Sequence, residues 1–172
     1  HGNPVDAVAD EQEAIRQALR HPIGSAPLKD VVQAGDTVAI IVSDITRLVH
    51  TAQMLPVIVD ELNQAGVRDE QITVVTAQGT HRAHTPEEDV TVCGEDMVKR
   101  VKVVSHDCRD ASQLTKIGTT THGNDVYLDS HVVQADKVIL TGAVSFHPMA
   151  GFGGGRKAVL PGVASYETIM RN

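Results

Sequence analysis

A glycine-rich segment with a histidine before it and a lysine after it lies near the end of the 172-residue sequence. It runs from His147 through Gly153-Gly154-Gly155 to Lys157. Consecutive glycines let a ligand approach the backbone closely, and their N–H groups can face an anion. The Lys157 amine supplies a positive charge or, when neutral, a nucleophile that can bond a cofactor covalently. These residue types and their spacing predict a site for a phosphate-bearing molecule.

The same glycine tract has two less specific interpretations. A nucleotide P-loop needs Ser or Thr directly after its lysine to hold magnesium, whereas Ala158 follows Lys157. This difference argues against a P-loop. A glycine-rich turn that ends in a solvated lysine is the second alternative, and the residues of the tract alone leave it open.

Two histidines are candidates for acid–base chemistry. His81 and His147 each follow a predicted strand, and a neutral imidazole near pH 7 can accept and donate a proton within one reaction cycle. Either one could instead be a loop histidine that hydrogen-bonds local backbone groups. A zinc site is a third alternative, although no H-x-x-x-H or clustered carboxylate spacing supports it. His50, His84 and His122 are expected on the surface or behind the lining of the site.

A polar cluster, Ser43-Asp44-Ile45-Thr46-Arg47, follows another predicted strand. The planar guanidinium of Arg47 matches a carboxylate, and Asp44 and Thr46 can hydrogen-bond hydroxyl groups. The cluster therefore offers one group that matches a carboxylate and two that can bond hydroxyls. The alternative is a structural salt bridge between Asp44 and Arg47 at the end of the strand.

Four short, almost continuously apolar runs predict strands that are buried on both faces of a sheet. They span residues 37–43, 72–77, 101–105 and 137–141. Helical patterns at 11–19, at 51–65 and from Thr85-Pro86 onward produce a βαβ alternation, and 118–129 reads as a hairpin or irregular connection. We expect an α/β, Rossmann-like domain of three layers with a mostly parallel sheet and a site at the carboxyl ends of its strands.

Composition limits the class of protein. The chain is 41% hydrophobic and 22% charged, which is close to the globular average, and its length predicts one domain over residues 3–172. Its formal charge of −7 argues against nucleic-acid binding, and no apolar run is long enough to cross a membrane. Cys93 and Cys108 lack a short metal-binding spacing and are expected to be reduced thiols of a cytoplasmic protein.

Four segments, in order along the chain, resemble the nickel-dependent lactate racemase family of 2-hydroxyacid racemases and epimerases. They are Ser43-Asp44-Ile45-Thr46-Arg47, Gly79-Thr80-His81-Arg82, Ser105-His106-Asp107 and the stretch 147–162. Four matches in the family's order are far more specific than one. The resemblance implies an N-terminal catalytic and cofactor-binding α/β domain, whose partner would be the C-terminal domain of the full-length enzyme.

The resemblance also implies a cofactor and residues that bind it. The family uses a nickel-pincer nucleotide, a pyridinium mononucleotide whose sulfur substituents hold nickel. Lys157 would carry this nucleotide through a thioamide, and Gly153, Gly154 and Gly155 would receive its phosphate. Asp44 and Thr46 would line the cofactor and substrate site, and Arg47 would bind the substrate carboxylate.

The implied chemistry is hydride transfer, because the α-hydrogen of a 2-hydroxy acid is too weakly acidic for simple removal. His81 and His147 would be the paired acid–base groups on opposite sides of the substrate. One would take the hydroxyl proton while hydride moves to the pyridinium ring, and return of hydride to the other face of the 2-oxo acid would invert the stereocentre. The family's nickel-ligating histidine is expected beyond Asn172, so no metal ligand is predicted in this chain, and the chain alone is predicted to be inactive.

Two alternatives from other classes stay open at this point. One is a nucleotide- or anion-binding module without its own chemistry, in which Lys157 would carry no adduct. The other is a histidine-based metallohydrolase, which would need metal bound by this chain's own side chains. Under the racemase interpretation the substrate class is 2-hydroxy acids, since lactate, longer aliphatic, aromatic and dicarboxylic acids and sugar acids all share the reacting group.

Overall fold

A four-stranded parallel sheet forms the centre of the computed structural model, which describes residues 6–172. The strands of this sheet and of two separate hairpins are, in chain order, β1 (Val38–Ser43), β2 (Ile72–Ala77), β3 (Lys102–Ser105), β4 (Leu114–Thr119), β5 (Asp125–Asp129), β6 (Lys137–Leu140), β7 (Phe146–His147) and β8 (Gly151–Phe152). The helices are α1 (Glu11–Arg20), α2 (Leu28–Val31), α3 (Thr51–Gln64), α4 (Pro86–Cys93), α5 (Glu95–Arg100), α6 (Ser130–Val133) and α7 (Tyr166–Met170). Residues 3–5 of the predicted domain lie outside the described residues.

The sheet has the strand order β3–β2–β1–β6, and all three pairings are parallel. Alternate residues of β1 enter separate cores on its two faces, as the period of a strand requires. Ile40 and Val42 pack in the core that contains α3, α4 and α5. Ala39 and Ile41 pack in a smaller core with α6 and Val163. The predicted α/β fold is confirmed. Burial on both faces holds for the central strands β1 and β2, whereas the edge strands β3 and β6 are partly exposed because each has a neighbouring strand on one side only.

Helix α3 follows β1 directly and closes the larger core. Its buried stripe includes Leu55, Ile58, Val59 and Leu62, which recur at the three- and four-residue spacing of one helix face. Gly66 ends the helix, with a φ of 92° that other residues rarely adopt. The observed bounds agree closely with the predicted helix at 51–65.

The start of α4 fixes the loop that follows β2. Thr85 Oγ1 accepts a hydrogen bond from the Glu88 N–H, the Glu88 carboxylate accepts one from the Thr85 N–H, and Pro86 is the first helical residue. Arg82 also donates two hydrogen bonds to Glu88, at 2.7 and 2.6 Å. The Arg82 guanidinium and the Thr85 N–H lower the pKa of Glu88 to about 2. Helix α4 therefore begins as predicted, and the preceding loop is attached to it.

Two hairpins complete the described fold. β4 and β5 pair antiparallel with an irregularity between Lys116 and Gly118, which resolves the predicted hairpin or irregular connection as a hairpin. β7 and β8 form a second hairpin, with strands of two residues each, that the sequence patterns did not predict.

Cys93 and Cys108 are both buried and unbridged, and burial raises the pKa of the Cys93 thiol to about 12. No helix within residues 6–172 is long and apolar enough to cross a membrane.

Candidate active site

A cleft of about 830 Å³ lies beside the carboxyl ends of β1 and β2. Ser43 and Ala77, the last residues of these strands, both line it, as does Thr141 directly after β6. This is the edge at which parallel sheets bind ligands. The predicted site residues that line the cleft are Asp44, Thr46, Arg47, His81, His147, Gly153, Gly154 and Lys157. Gly155 begins the adjacent turn and is not among the lining residues.

Asp44 is buried and holds His81 through a short hydrogen bond. Its Oδ2 atom lies 2.5 Å from Nδ1 of His81, while Oδ1 accepts from the N–H and the hydroxyl of Thr46 at 3.2 and 2.7 Å. An ionised carboxylate can only accept, so a neutral His81 carries its proton on Nδ1. Its Nε2 atom then has a free lone pair. This arrangement suits His81 to act as a general base.

Arg47 does not form the structural salt bridge with Asp44 that was the sequence-based alternative. The Asp44 carboxylate pairs with His81 instead, and Arg47 contacts Asp44 only through a backbone hydrogen bond of 2.9 Å. The exposed Arg47 guanidinium makes one long hydrogen bond, of 3.4 Å, to the Thr46 carbonyl. Because Arg47 also lines the cleft, its charge is available to an anionic ligand there.

His147 has the opposite hydrogen-bonding pattern to His81. Its Nδ1 atom accepts from the backbone N–H groups of Met149 and Ala150, at 3.2 and 3.0 Å, inside the β7–β8 hairpin. A nitrogen that accepts hydrogen bonds carries no proton, so the neutral ring of His147 is protonated on Nε2. His147 is therefore set as a hydrogen-bond donor, and it can gain a proton on Nδ1 only when these two bonds are released.

The glycine tract makes a left-handed entry into a single 3₁₀ turn that carries Lys157. Gly154 and Gly155 have φ values of 75° and 50°, in a region that favours glycine. A Cβ atom on Gly154 would lie 2.9 Å from the Ala143 carbonyl oxygen, whereas one on Gly155 would meet nothing within 4 Å. The tract thus packs tightly against the segment that leaves β6 and is open on the side of Gly155.

The segment after Lys157 is joined to the loop that carries His81. Gly79 donates its N–H to the Gly162 carbonyl at 2.9 Å. A Cβ atom on Gly162 would overlap the carbonyl group of Ala158 and would lie 2.9 Å from Ala77 Cβ. The sequence indicated Gly162 only as the end of a motif. The structure shows that close backbone packing requires glycine at this position.

His106, from the third matching segment, is fully buried and does not line the cleft. Its Nδ1 atom lies 2.9 Å from Asp129 Oδ2 and its Nε2 atom 3.0 Å from the Ala164 carbonyl oxygen. Burial alone would raise the pKa of Asp129, but hydrogen bonds from His106 and His131 outweigh burial and lower it. Both His106 nitrogens therefore contact acceptors, and the ring joins Asp129 to the chain two residues after Gly162.

The lining of the cleft also includes residues to which the sequence patterns assign no individual role. Phe146 and Met149 are 90% and 93% exposed and form an apolar rim beside His147. Gln78 is buried next to the His81 loop and bonds to Thr76 and Ser105. The strands β7 and β8 are only two residues long, too short to show a period, so no sequence pattern indicated the rim.

The metal-binding alternative finds no support in the arrangement of the side chains. Within residues 6–172, no three or more His, Cys, Asp or Glu side chains are grouped closely enough to hold a metal ion. His81, His84 and His106 each use Nδ1 to contact an aspartate of their own. Each of these Nδ1 atoms is therefore already occupied by a separate carboxylate.

Comparison with known proteins identifies the family of this chain. A family model described as the lactate racemase N-terminal domain matches residues 1–172. The chain belongs to this lactate racemase family. Lactate racemase from Lactiplantibacillus plantarum is 40% identical over 162 residues, and lactate racemase from Thermoanaerobacterium thermosaccharolyticum is 35% identical over the same length. Each alignment covers 94% of this chain and 38% of the relative.

Solved structures share the fold of this chain. The lactate racemase apoprotein from Thermoanaerobacterium thermosaccharolyticum superposes with a TM-score of 0.86 at 34% identity, over 92% of this chain and 38% of that one. A protein from Thermotoga maritima shares the fold with a TM-score of 0.73 at 24% identity, over 92% of this chain and 39% of that one. The chain thus spans less than two-fifths of the length of its relatives.

Proposed function

We propose that the protein containing this chain interconverts the two enantiomers of lactate or of a closely related 2-hydroxy acid. The observation that carries this proposal is the presence of His81 and His147 in one cleft with Arg47 and Lys157. Two imidazoles can exchange protons with a hydroxyl group, and a guanidinium can bind the adjacent carboxylate. The relatives named lactate racemase support the same reaction class.

We further propose that the cofactor is a nickel-pincer nucleotide bonded to Lys157. The cleft fits such a group, because its volume of about 830 Å³ lies within the range of roughly 300–1,000 Å³ that small-molecule sites occupy. Lys157, Gly153 and Gly154 line it, so an amine is available for the covalent bond and glycine backbone for the phosphate. When bound, the group would supply a reversible acceptor for hydride. The nickel-ligating histidine is proposed to lie outside this chain.

The chain's own residues would bind the substrate and move its protons. Arg47 holds the carboxylate, and Nε2 of His81 takes the hydroxyl proton as the α-hydrogen leaves as hydride. The product is a planar 2-oxo acid, which can regain both hydrogens. When it regains hydride on the opposite face, the stereocentre is inverted. For His147 to exchange the hydroxyl proton in that half of the reaction, Met149 and Ala150 must release its Nδ1 atom.

A chiral assay of lactate tests the proposed function. The full-length protein should convert each enantiomer to the other when it is made in cells that supply the cofactor pathway. We expect His81→Asn and His147→Asn each to lower kcat by about 10²–10⁴-fold, the usual contribution of a general acid or base. His50→Gln is the control, since His50 is exposed, pairs with Glu11 and does not line the cleft. Failure of the unaltered protein to invert any 2-hydroxy acid would overturn the proposal.

A further inference from the structure

A buried histidine outside the cleft connects the two loops that hold the Asp44–His81 pair. The His84 side chain is 1% exposed. Its Nε2 atom accepts the Ile45 N–H at 2.9 Å, and its Nδ1 atom lies 3.0 Å from Asp89 Oδ1. Because Nε2 accepts, Nδ1 carries the proton and donates to Asp89. Both ring nitrogens of His84 are thus used, and each has one role.

The partners of His84 belong to three different elements. Ile45 is the residue after Asp44 in the loop that follows β1, and His84 itself lies three residues after His81 in the loop that follows β2. Asp89 belongs to α4. The backbone of His84 is also fixed, since its N–H donates to Ser105 Oγ at 3.1 Å. His84 therefore attaches the Asp44 loop to the His81 loop and attaches both to a helix.

We propose that His84 is a positioning residue, which keeps the Asp44 carboxylate against Nδ1 of His81. The inference rests on the proposed role of His81 as a base. The His81 side chain is 55% exposed, so its own packing restrains it little and Asp44 must hold it. Asp44 in turn depends on the backbone at Ile45, whose N–H is bound by His84. A small displacement of Asp44 or His81 would lower the reaction rate strongly, because acid–base catalysis requires the reacting atoms to lie within hydrogen-bond reach.

Two substitutions separate the two contacts of His84. A glutamine amide can reach as far as Nε2 and can accept the Ile45 N–H, although it gives up the bond to Asp89. An asparagine amide reaches only as far as Nδ1, so it can donate to Asp89 but not contact Ile45. In the cofactor-loaded protein as its gene encodes it, we expect His84→Asn to lower kcat on the order of 10²-fold with little change in KM. The decrease in kcat should be distinctly smaller in His84→Gln.

A second readout does not depend on turnover. The proton shared in the 2.5 Å contact between Asp44 and His81 should give a strongly downfield ¹H NMR resonance, which His81→Asn identifies by removing it. We expect this resonance in the unaltered protein and in His84→Gln, and its loss in His84→Asn. Asp89→Ala is a second variant at a partly exposed position, and it should weaken the resonance because it frees the His84 ring.

Two results would overturn the proposed positioning role of His84. A His84→Asn protein that keeps both kcat and the resonance would overturn the proposal. Equal losses in His84→Gln and His84→Asn, with matching falls in melting temperature, would also overturn it, because they would show that His84 only fills the core. If the unaltered protein inverts no 2-hydroxy acid, the proposed function fails, whereas the resonance still decides whether His84 positions Asp44.

Discussion

Oδ2 of Asp44 lies 2.5 Å from Nδ1 of His81, and this contact makes the two histidines of the cleft chemically different. The carboxylate fixes the proton of His81 on Nδ1 and leaves Nε2 as a base. In His147 the backbone N–H of Ala150 makes Nδ1 the acceptor, so the proton lies on Nε2. In the described conformation the cleft thus holds one base and one donor.

We predict that Asp44→Asn abolishes most of the activity while leaving the fold intact. The asparagine amide can donate to Nδ1 of His81, which then carries its proton on Nε2 and is no longer a base. The corresponding change in a serine-protease triad lowers kcat about 10⁴-fold, and we expect a loss approaching that size with a smaller effect on KM. The chiral lactate assay measures both constants.

The matched control for this substitution is Asp96→Asn, which removes an exposed carboxylate on α5. It should leave kcat and KM unchanged. Full activity in Asp44→Asn would show that the tautomer of His81 does not matter for the reaction.

Gly162→Ala should destabilise the protein, because the new methyl group would overlap the Ala158 carbonyl. Overpacking of this kind costs about 1–3 kcal/mol in the free energy of unfolding. Denaturant unfolding measures the loss. Ala77→Gly in the same protein should not rescue it, since removing Ala77 Cβ leaves the overlap with the backbone carbonyl in place. An unchanged unfolding midpoint in Gly162→Ala would contradict the close packing of this segment.

Asp129→Asn should destabilise the protein near neutral pH by about 1–3 kcal/mol, because the buried acceptor of the His106 and His131 hydrogen bonds loses its charge. The pKa of Asp129 is lowered from 3.8 in the folded state, as hydrogen bonds from His106 and His131 outweigh the effect of burial. Its ionised form therefore contributes stability that is fully present above pH 3.8 and is lost as the pH falls through the lower folded-state pKa.

The difference in unfolding free energy between Asp129→Asn and the unaltered protein should consequently be large at pH 7 and should shrink as the pH falls below 3.8. Denaturant unfolding at a series of pH values tests this dependence. Asp96→Asn again serves as the control, with a small difference throughout. A loss of the same size at every pH would contradict the lowered pKa of Asp129.

Much of the fold could be predicted because its strongest patterns are local. The continuous apolar run of β1 reflects burial on both faces, and Thr85 and Glu88 carry the capping pattern of α4 in four adjacent residues. Ligands bind at the carboxyl ends of parallel strands, and this rule correctly predicted that Asp44 and His81 lie at one edge of the sheet.

The pairing of side chains within the site could not be predicted, because it depends on contacts between distant loops. Arg47 is three residues from Asp44, whereas the partner that Asp44 takes, His81, is 37 residues away. In the same way, His84 hydrogen-bonds to Ile45 in the loop after β1 and to Ser105 at the end of β3, and neither is near it in the sequence. Sequence spacing carries no information about which of two basic side chains, Arg47 or His81, reaches the Asp44 carboxylate.

The mass of the peptide that contains Lys157 tests the proposed function most directly. The protein should be made in cells that supply the cofactor pathway, digested and compared with Lys157→Arg made in the same way. We expect the Lys157 peptide of the active protein to carry the added mass of the nucleotide, and Lys157→Arg to carry none and to be inactive. An unmodified Lys157 peptide in protein that still inverts lactate would contradict the assignment of this cleft as the cofactor site.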